Sequence, residues 1–178
     1  KTLFAAIEDT VPAAAACMRW LRQRASQADK NAPMLWCTPT GLLVEHDYRD
    51  YTEHRVALRS CGVTKIVVRE ELESTRGQRM QNAIAPNFVH ALDAAHLTFT
   101  ANALEAEGVA MVAIHDSFGC HPGDVQVMHK CIREAFVRLY KDFDPLAMLQ
   151  QGIGQEATPP MQGNLDISEF RDSEFGFC

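Results

Sequence analysis

The stretch VAMVAIHDSFGCH, residues 109–121, decides the fold of this chain. Its first six residues are apolar and partly β-branched, which predicts a short buried strand. Residues 118–121 predict a return strand, and the Pro-Gly pair at 122–123 ends it. The tripeptide at 115–117 therefore stands at the tip of a tight hairpin. We expect Asp116 to expose a carboxylate there, although aspartate is also common in ordinary turns.

Three other segments accompany this hairpin along the chain. They are APNFVHALDAAHL at 85–97, GNL at 163–165 and SEFGFC at 173–178. In this order and spacing, the four segments resemble the C-terminal part of single-subunit, bacteriophage-type DNA-directed RNA polymerases. Members of that family typically end in an aromatic-any-aromatic-any tail, as this chain does. The resemblance covers essentially the whole chain and is densest between Ala85 and Ala147.

The resemblance implies an α+β fold, a palm-type fragment of a right-hand polymerase that is mostly helical with antiparallel β-hairpins. Four segments are expected along the chain. They are a helical segment following the fingers at 1–32, a β-rich promoter-reading hairpin at 33–77, the palm with its metal-binding hairpin at 78–150, and a loop with the C-terminal foot at 151–178.

Local signals place several helix starts. Thr10 and Pro12 predict the start of a second helix in the first segment, because proline is tolerated in a first helical turn. In the palm segment, one helix is predicted from about Pro86. Another is predicted from about Asp124, with that aspartate as its N-cap.

Composition limits the possible functions. A chain of 178 residues with 47% hydrophobic content can bury one sizeable core. Its net charge of −6 has the wrong sign for a self-sufficient nucleic-acid binder, which speaks against a complete polymerase. Six cysteines without a Cys-x-x-Cys pair predict reduced thiols in an intracellular protein.

The chain has no 18-residue apolar run and no signal peptide, so the sequence predicts no membrane partner. We expect a soluble, cytoplasmic protein of a bacterial host or virus-infected cell. Because the sequence begins at Lys1 within a helical pattern, we also expect it to have been cut from a longer protein.

The resemblance makes Asp116 a catalytic, metal-binding residue. Nucleotidyl transfer uses two Mg²⁺ ions about 4 Å apart, and Mg²⁺ prefers carboxylate oxygens while keeping several waters. In the family, a second aspartate and a fingers helix with lysine and tyrosine would precede Lys1, so the chain alone is expected to be inactive. The longer enzyme would have as partners the DNA template and promoter, the RNA product, ribonucleoside triphosphates, and its own N-terminal and fingers parts.

The two neighbours of Asp116 are expected to support the active site. His115 should point to the opposite face by strand alternation, so packing and catalysis are equally open for it. Ser117 stands where related DNA polymerases tend to carry a second acidic residue. The resemblance therefore favours RNA over DNA synthesis.

A polar stripe recurs every three residues along the predicted helix at 86–97, through Asn87, His90, Asp93 and His96. Such positions rotate progressively and do not converge well on a metal ion. The family places the corresponding helix near the primer terminus, which makes Asn87 and His90 candidates for contact with the template–product duplex. Asp93 and His96 would brace neighbouring elements. A solvated or core-satisfied stripe is the alternative.

Basic residues are interleaved with apolar ones in the β-rich segment, at Arg55, Arg59, Lys65 and Arg69. By position, this segment resembles the hairpin that enters the promoter major groove in the phage enzymes. Arg59 and Lys65 are the nucleic-acid-binding candidates there. A charged strand edge that discourages aggregation is the alternative.

The C-terminal tail, residues 173–178, is expected to be ordered near the active site. Phe175 and Phe177 are two residues apart, so an extended chain would point both rings to one side. Burying one ring contributes about 1.5–3 kcal/mol, enough to hold a short tail. This would fix the Cys178 carboxylate close to the active site, whereas a frayed terminus is the alternative.

Two other functional classes remain open. A family A DNA polymerase shares the palm, and the nucleotide-selecting residues that would decide between them lie upstream. A non-catalytic prophage remnant that retains the fold is the second. The acidic charge and the missing motifs favour this remnant for the isolated chain.

Overall fold

A computed structural model of the chain describes residues 3–59, 64–114, 116–154, 156–174 and 176–177. It confirms an α+β fold that is mostly helical with antiparallel β-hairpins. The helices are α1 (Leu3–Thr10), α2 (Pro12–Gln27), α3 (Gly77–Ala106), α4 (Val125–Lys141) and α5 (Pro145–Ile153). The strands are β1 (Met34–Cys37), β2 (Leu43–His46), β3 (Arg49–Leu58), β4 (Thr64–Thr75), β5 (Met111–Ile114) and β6 (Ser117–Cys120).

The strands pair as three separate two-stranded antiparallel sheets, β1–β2, β3–β4 and β5–β6. Short 3₁₀ turns cover Pro122–Asp124 and Ile167–Asp172. No helix in the described ranges is both long and apolar enough to cross a membrane.

Helix α3 forms the centre of the core, because its apolar side chains recur every three or four residues and face α2 and α4. The core residues of α3 are Met80, Ile84, Phe88, Leu92, Ala95 and Phe99. Trp20 and Leu21 of α2 and Ala135 and Leu139 of α4 are buried in the same cluster.

The break between α1 and α2 agrees with the prediction from Thr10 and Pro12, since Pro12 occupies the first turn of α2. The predicted start of a helix at about Pro86 is wrong. Helix α3 begins at Gly77 and contains Pro86 in its interior. Proline there removes one helical hydrogen bond. The buried Ile84 and Phe88 on either side offset that loss by packing in the core.

The starts of α4 and α5 both differ from the sequence prediction. Asp124 precedes α4 as predicted, but its side chain makes no capping hydrogen bond. Helix α5 is not predicted from the sequence, although it carries the usual signals. The Asp144 carboxylate accepts hydrogen bonds from the Leu146 and Ala147 amides, and Pro145 occupies the first turn.

The hairpin that carries Asp116 is present, but the predicted burial of its first strand is wrong. Met111 pairs with Cys120, and Ile114 pairs with Ser117. Val112 and Ile114 are 63% and 67% exposed. The reason is that this sheet has only two strands. One face packs towards α3 through Phe118, while the described residues do not cover the face that carries Val112 and Ile114.

Gly152→Ala is expected to lower the free energy of unfolding by about 1–3 kcal/mol, because the added carbon would overpack the contact between α5 and β1. A Cβ at Gly152 would lie 2.5 Å from the Leu35 carbonyl oxygen and 2.6 Å from the Trp36 Cα. Gly77→Ala is the matched control, since a Cβ in that helix meets nothing within 4 Å. The control should be neutral or stabilising, because alanine favours helices over glycine. Denaturant unfolding that finds both variants equally stable would contradict the close contact.

Candidate functional site

A cleft of about 650 Å³ lies between α3, the β5–β6 hairpin and the C-terminal tail. Asp116 stands in the turn between the paired residues Ile114 and Ser117, where it is exposed. The residues lining the cleft are His90, Asp93, Ala94, His96, Leu97, Asp116, Phe118 and Phe177. The structure thus brings together Asp116, part of the predicted polar stripe and one of the two predicted tail rings.

The cleft offers carboxylate oxygens, the donors that Mg²⁺ prefers, from Asp116 and Asp93. Within the described ranges, no group of three or more His, Cys, Asp or Glu residues could hold a metal ion. Asp116 therefore fits the role of one exposed carboxylate ligand in a site that needs further ligands. The described residues do not form a complete metal site.

The polar stripe on α3 divides into exposed and inward-facing members. His90 and Asp93 are exposed along the cleft. Asn87 is half-buried, and its amide nitrogen donates to His46 Nδ1 over 3.0 Å and to the Tyr48 hydroxyl over 3.1 Å. The contact predicted between Asn87 and a nucleic-acid duplex stays a prediction. In the structure the Asn87 amide nitrogen already has two partners inside the protein.

His46 fixes the orientation of the Asn87 amide group. The ring is fully buried, and its Nε2 lies 2.9 Å from the Met80 carbonyl oxygen. Because a carbonyl can only accept, Nε2 carries the proton and Nδ1 accepts from Asn87. Burial lowers the pKa of His46 below its ordinary value, although the bond to the Met80 carbonyl and the nearby Asp47 oppose that shift.

His96, in contrast, connects α3 with the other elements around the cleft. Its Nε2 donates to the Ile132 carbonyl of α4 over 2.9 Å. Its ring is stacked on Phe177 with the centroids 5.4 Å apart, and it meets Phe118 and Phe136 edge-on at 6.0 and 5.8 Å. This is the bracing arrangement expected for His96.

Phe177 anchors the described part of the C-terminal tail. Its ring packs against His96, Phe136 and Phe170, and its carbonyl lies 3.2 Å from His129 Nε2, which can donate to it. His115, Phe175 and Cys178 lie outside the described residues, so their predicted roles in supporting the active site stay predictions.

The residues that hold the tail lie on α4 and in the turn at Ile167–Asp172, and no sequence motif predicts them. Phe136 contacts both Phe170 and Phe177, and His129 and Arg133 of α4 also contact the end of the chain. The sequence does contain one usable signal, because Phe136 and Tyr140 are four residues apart and so share one helix face. In the structure their ring centroids are 4.9 Å apart.

The β3–β4 hairpin, which we call the basic hairpin, has one apolar and one charged face. Val56 pairs with Ile66, whereas Arg55 pairs with Val67 and Lys65 with Ala57 on the opposite face. The face with Val56 also carries exposed Leu58 and Val68. The structure thus places Arg55 and Lys65 on one face, and Arg59 is exposed just beyond the end of β3.

The acidic residues of the basic hairpin lie near its base. Residues 55–67 contain three basic and no acidic side chains. Nearer the body, Arg69 pairs with Glu53 over 3.2 Å and lies over the Tyr51 ring. Positive charge is therefore concentrated towards the tip, while Arg69 is engaged at the base.

The structure thus combines an exposed carboxylate on a short hairpin, a cleft against a long helix and a separate basic hairpin. Residues 1–158 match the sequence profile of the DNA-dependent RNA polymerase family, and the chain belongs to that family. The resemblance found in the sequence is thus confirmed.

Relatives from phage and plants carry the same family name. The DNA-directed RNA polymerase of Pseudomonas phage phiKMV is 41% identical over 174 residues, which is 97% of this chain and 21% of the relative. The mitochondrial DNA-directed RNA polymerase 1 of Nicotiana sylvestris is 33% identical over 99% of this chain and 18% of the relative. The chain therefore spans about a fifth of the length of these two relatives. A shorter relative, DNA-directed RNA polymerase 1A of Nicotiana tabacum, is 33% identical over 84% of this chain and 98% of its own length.

Asn87→Ala is expected to lower the free energy of unfolding by about 1–3 kcal/mol, because His46 Nδ1 and the Tyr48 hydroxyl lose a buried donor. His90→Ala, one helical turn further along, removes an exposed side chain and should change stability by less than about 0.5 kcal/mol. Denaturant unfolding of the two variants measures the difference. Equally small effects would show that the internal bonds of Asn87 contribute little.

Proposed function

We propose that this chain is the C-terminal palm part of a DNA-directed RNA polymerase that joins ribonucleotides along a DNA template. The observation that supports this most directly is the position of Asp116, exposed on a hairpin turn and lining a cleft, in a chain of the polymerase family. In this proposal Asp116 is one of two catalytic carboxylates that bind Mg²⁺.

The proposed division of the chain follows the segments expected from the sequence. Residues 1–32 follow the fingers, 33–77 include the promoter-reading hairpin, 78–150 form the palm, and 151–178 form the loop and C-terminal foot. The structure contains a helical pair, β-hairpins and a long helix in these ranges, which supports the division.

The proposed reaction assigns a separate task to each side of the cleft. Asp116 would help to hold Mg²⁺, and two such ions would supply positive charge to stabilise the attacking and leaving oxygens. Asp116 supplies a negatively charged oxygen at a fixed turn, next to the space in which the reacting groups must lie. His90, exposed on the α3 side of the same cleft, offers hydrogen bonds to the template–product duplex.

The remaining ligands and the nucleotide-binding helix would come from other parts of a longer polymerase. Three observations support a need for these other parts. The described residues offer no cluster of three metal-binding side chains, the outer face of β5 exposes Val112 and Ile114, and the chain spans about a fifth of the phiKMV relative. An apolar face beside the proposed metal ligand suits contact with the rest of a palm.

The basic hairpin would contact promoter DNA through Arg59 and Lys65. Two observations support this contact: both side chains are exposed, and residues 55–67 contain no acidic side chain. For location, we infer the cytoplasm of a bacterial host or virus-infected cell from the phage relative. The organellar names of the plant relatives make an organelle the alternative.

Asp116→Asn in the longer polymerase is expected to lower the elongation rate roughly 100- to 1,000-fold, because it removes a negative charge where the transition state needs a metal ligand. Asp142→Asn is the matched control, since Asp142 is exposed at the end of α4 and does not line the cleft. Label incorporation on a primed template measures both variants. Near-normal elongation with Asp116→Asn would remove this residue from the catalytic site, and RNA synthesis by the 178-residue chain alone would refute the assignment of the missing ligands to a longer chain.

Arg59→Ala combined with Lys65→Ala should reduce initiation at specific promoters while elongation on a preformed scaffold stays unchanged. If each side chain contacts one phosphate, the slope of log affinity against log salt should fall by about one per residue removed. Lys130→Ala, an exposed lysine of α4 away from the basic hairpin, serves as the control. Equal losses of initiation and elongation would exclude a promoter-specific role.

A further inference from the structure

One side chain of α3 touches three other parts of the molecule around the cleft. His96 is only 8% exposed. It donates to the Ile132 carbonyl of α4, stacks on Phe177 of the tail and meets Phe118 of β6 edge-on. The tail residue Phe177 lies far from α3 and β6 in the chain, so its placement against them depends on side-chain contacts of this kind.

The hydrogen bond of His96 fixes the plane of its ring, and the two aromatic contacts depend on that plane. With Nε2 held 2.9 Å from the Ile132 oxygen, the ring lies nearly parallel to Phe177, at 12°, and nearly perpendicular to Phe118, at 79°. Both are geometries that aromatic rings favour. A rotation of the imidazole would therefore disturb the tail and the hairpin together.

Asp116 is connected to this arrangement through the hairpin. Phe118 lies two residues after Asp116 and directly follows Ser117, which pairs with Ile114 at the turn. The inner face of the hairpin rests on α3 through Phe118, while the outer face has no cover among the described residues. The contact between Phe118 and His96 is thus a main constraint on where the carboxylate lies.

We propose that His96 is a positioning residue for nucleotidyl transfer, which holds the C-terminal tail and the Asp116 hairpin in one arrangement. The covered ring acts through Phe177 and Phe118. His129 adds a second hold on the tail through the Phe177 carbonyl. The effect on catalysis rests on the proposed function. The structural role, holding the tail and the hairpin together, rests only on the contacts of His96.

Two variants separate positioning from simple core packing. His96→Phe keeps a ring of similar size but loses the hydrogen bond that sets the ring plane, whereas His96→Gln keeps a donor but loses the ring. If His96 only fills space, the Phe variant should match the wild type in stability and in activity. If His96 positions the site, the Phe variant should lose far more kcat than its modest loss of stability, from one missing hydrogen bond, can explain.

In the longer polymerase, we expect both variants to lower kcat for nucleotide addition about 10- to 100-fold with little change in KM, since misplacement by about 1 Å costs rates of this size. Deleting residues 175–178 should cost less in the His96→Phe background than in the wild type, because the two changes break partly the same connection. Asn102→Ala, an exposed residue on the same helix, is the control and should leave kcat unchanged. Fully additive losses, or a normal kcat with His96→Phe, would overturn the proposal.

Amide hydrogen exchange on the 178-residue chain tests the contacts without any assay of activity. His96→Phe should raise exchange at residues 170–177 and at 118–120 at least tenfold, whereas Asn102→Ala should not. Unchanged exchange at both segments would overturn the inference, even if Asp116→Asn confirms the polymerase function. A wild-type polymerase without activity would refute the proposed function, and the exchange result would still decide whether His96 holds the two segments together.

Discussion

The burial of one face of α3 is the interaction on which the rest of the structure depends. Helix α3 is 30 residues long, and its core residues between Met80 and Phe99 pack against α2 on one side and α4 on the other. Each large apolar side chain buried there contributes about 1.5–3 kcal/mol. This packing keeps the helix continuous through Pro86 and makes it rigid enough to support the elements at both of its ends.

Two buried histidines connect those elements to α3. At one end, His46 of β2 bonds to the Met80 carbonyl and to Asn87. At the other, His96 bonds to α4 and contacts the tail and the hairpin. Asn87 and His96 are separated by nine positions, or about 14 Å along a helix axis. The β1–β2 hairpin and the Asp116 hairpin therefore both rest on α3, and each is a separate two-stranded sheet.

The His46 network also depends on a neutral ring. Its folded-state pKa is lowered from the ordinary 6.5, so the unfolded chain binds a proton at a higher pH than the folded chain does. The contribution of His46 to the free energy of unfolding is therefore complete above about pH 6.5. It falls as the pH drops from there towards the lowered pKa. Protonation would place a donor at Nδ1, facing the amide nitrogen of Asn87.

Local sequence signals predict the elements whose formation depends on neighbouring residues. They do not predict helix bounds or side-chain orientations that depend on residues far away in the chain. The hairpin at Asp116 and the start of α2 at Pro12 follow from short-range turn and proline geometry. The start of α3 does not, because core packing on both sides of Pro86 outweighs its local effect. The inward turn of Asn87 could not be predicted either, since its partners His46 and Tyr48 lie about 40 positions earlier in the chain.

The net charge of the whole chain is a poor guide to whether one of its surfaces can bind nucleic acid. At physiological salt, exposed charges more than about 8 Å apart are largely screened, so a nucleic acid responds to the local arrangement. In the basic hairpin, Glu53 and Glu70 pair with Arg69 and His54 near the base, while residues 55–67 carry only positive charge. A chain with a net charge of −6 can thus still present a stretch of side chains that is purely basic, at residues 55–67 of the basic hairpin.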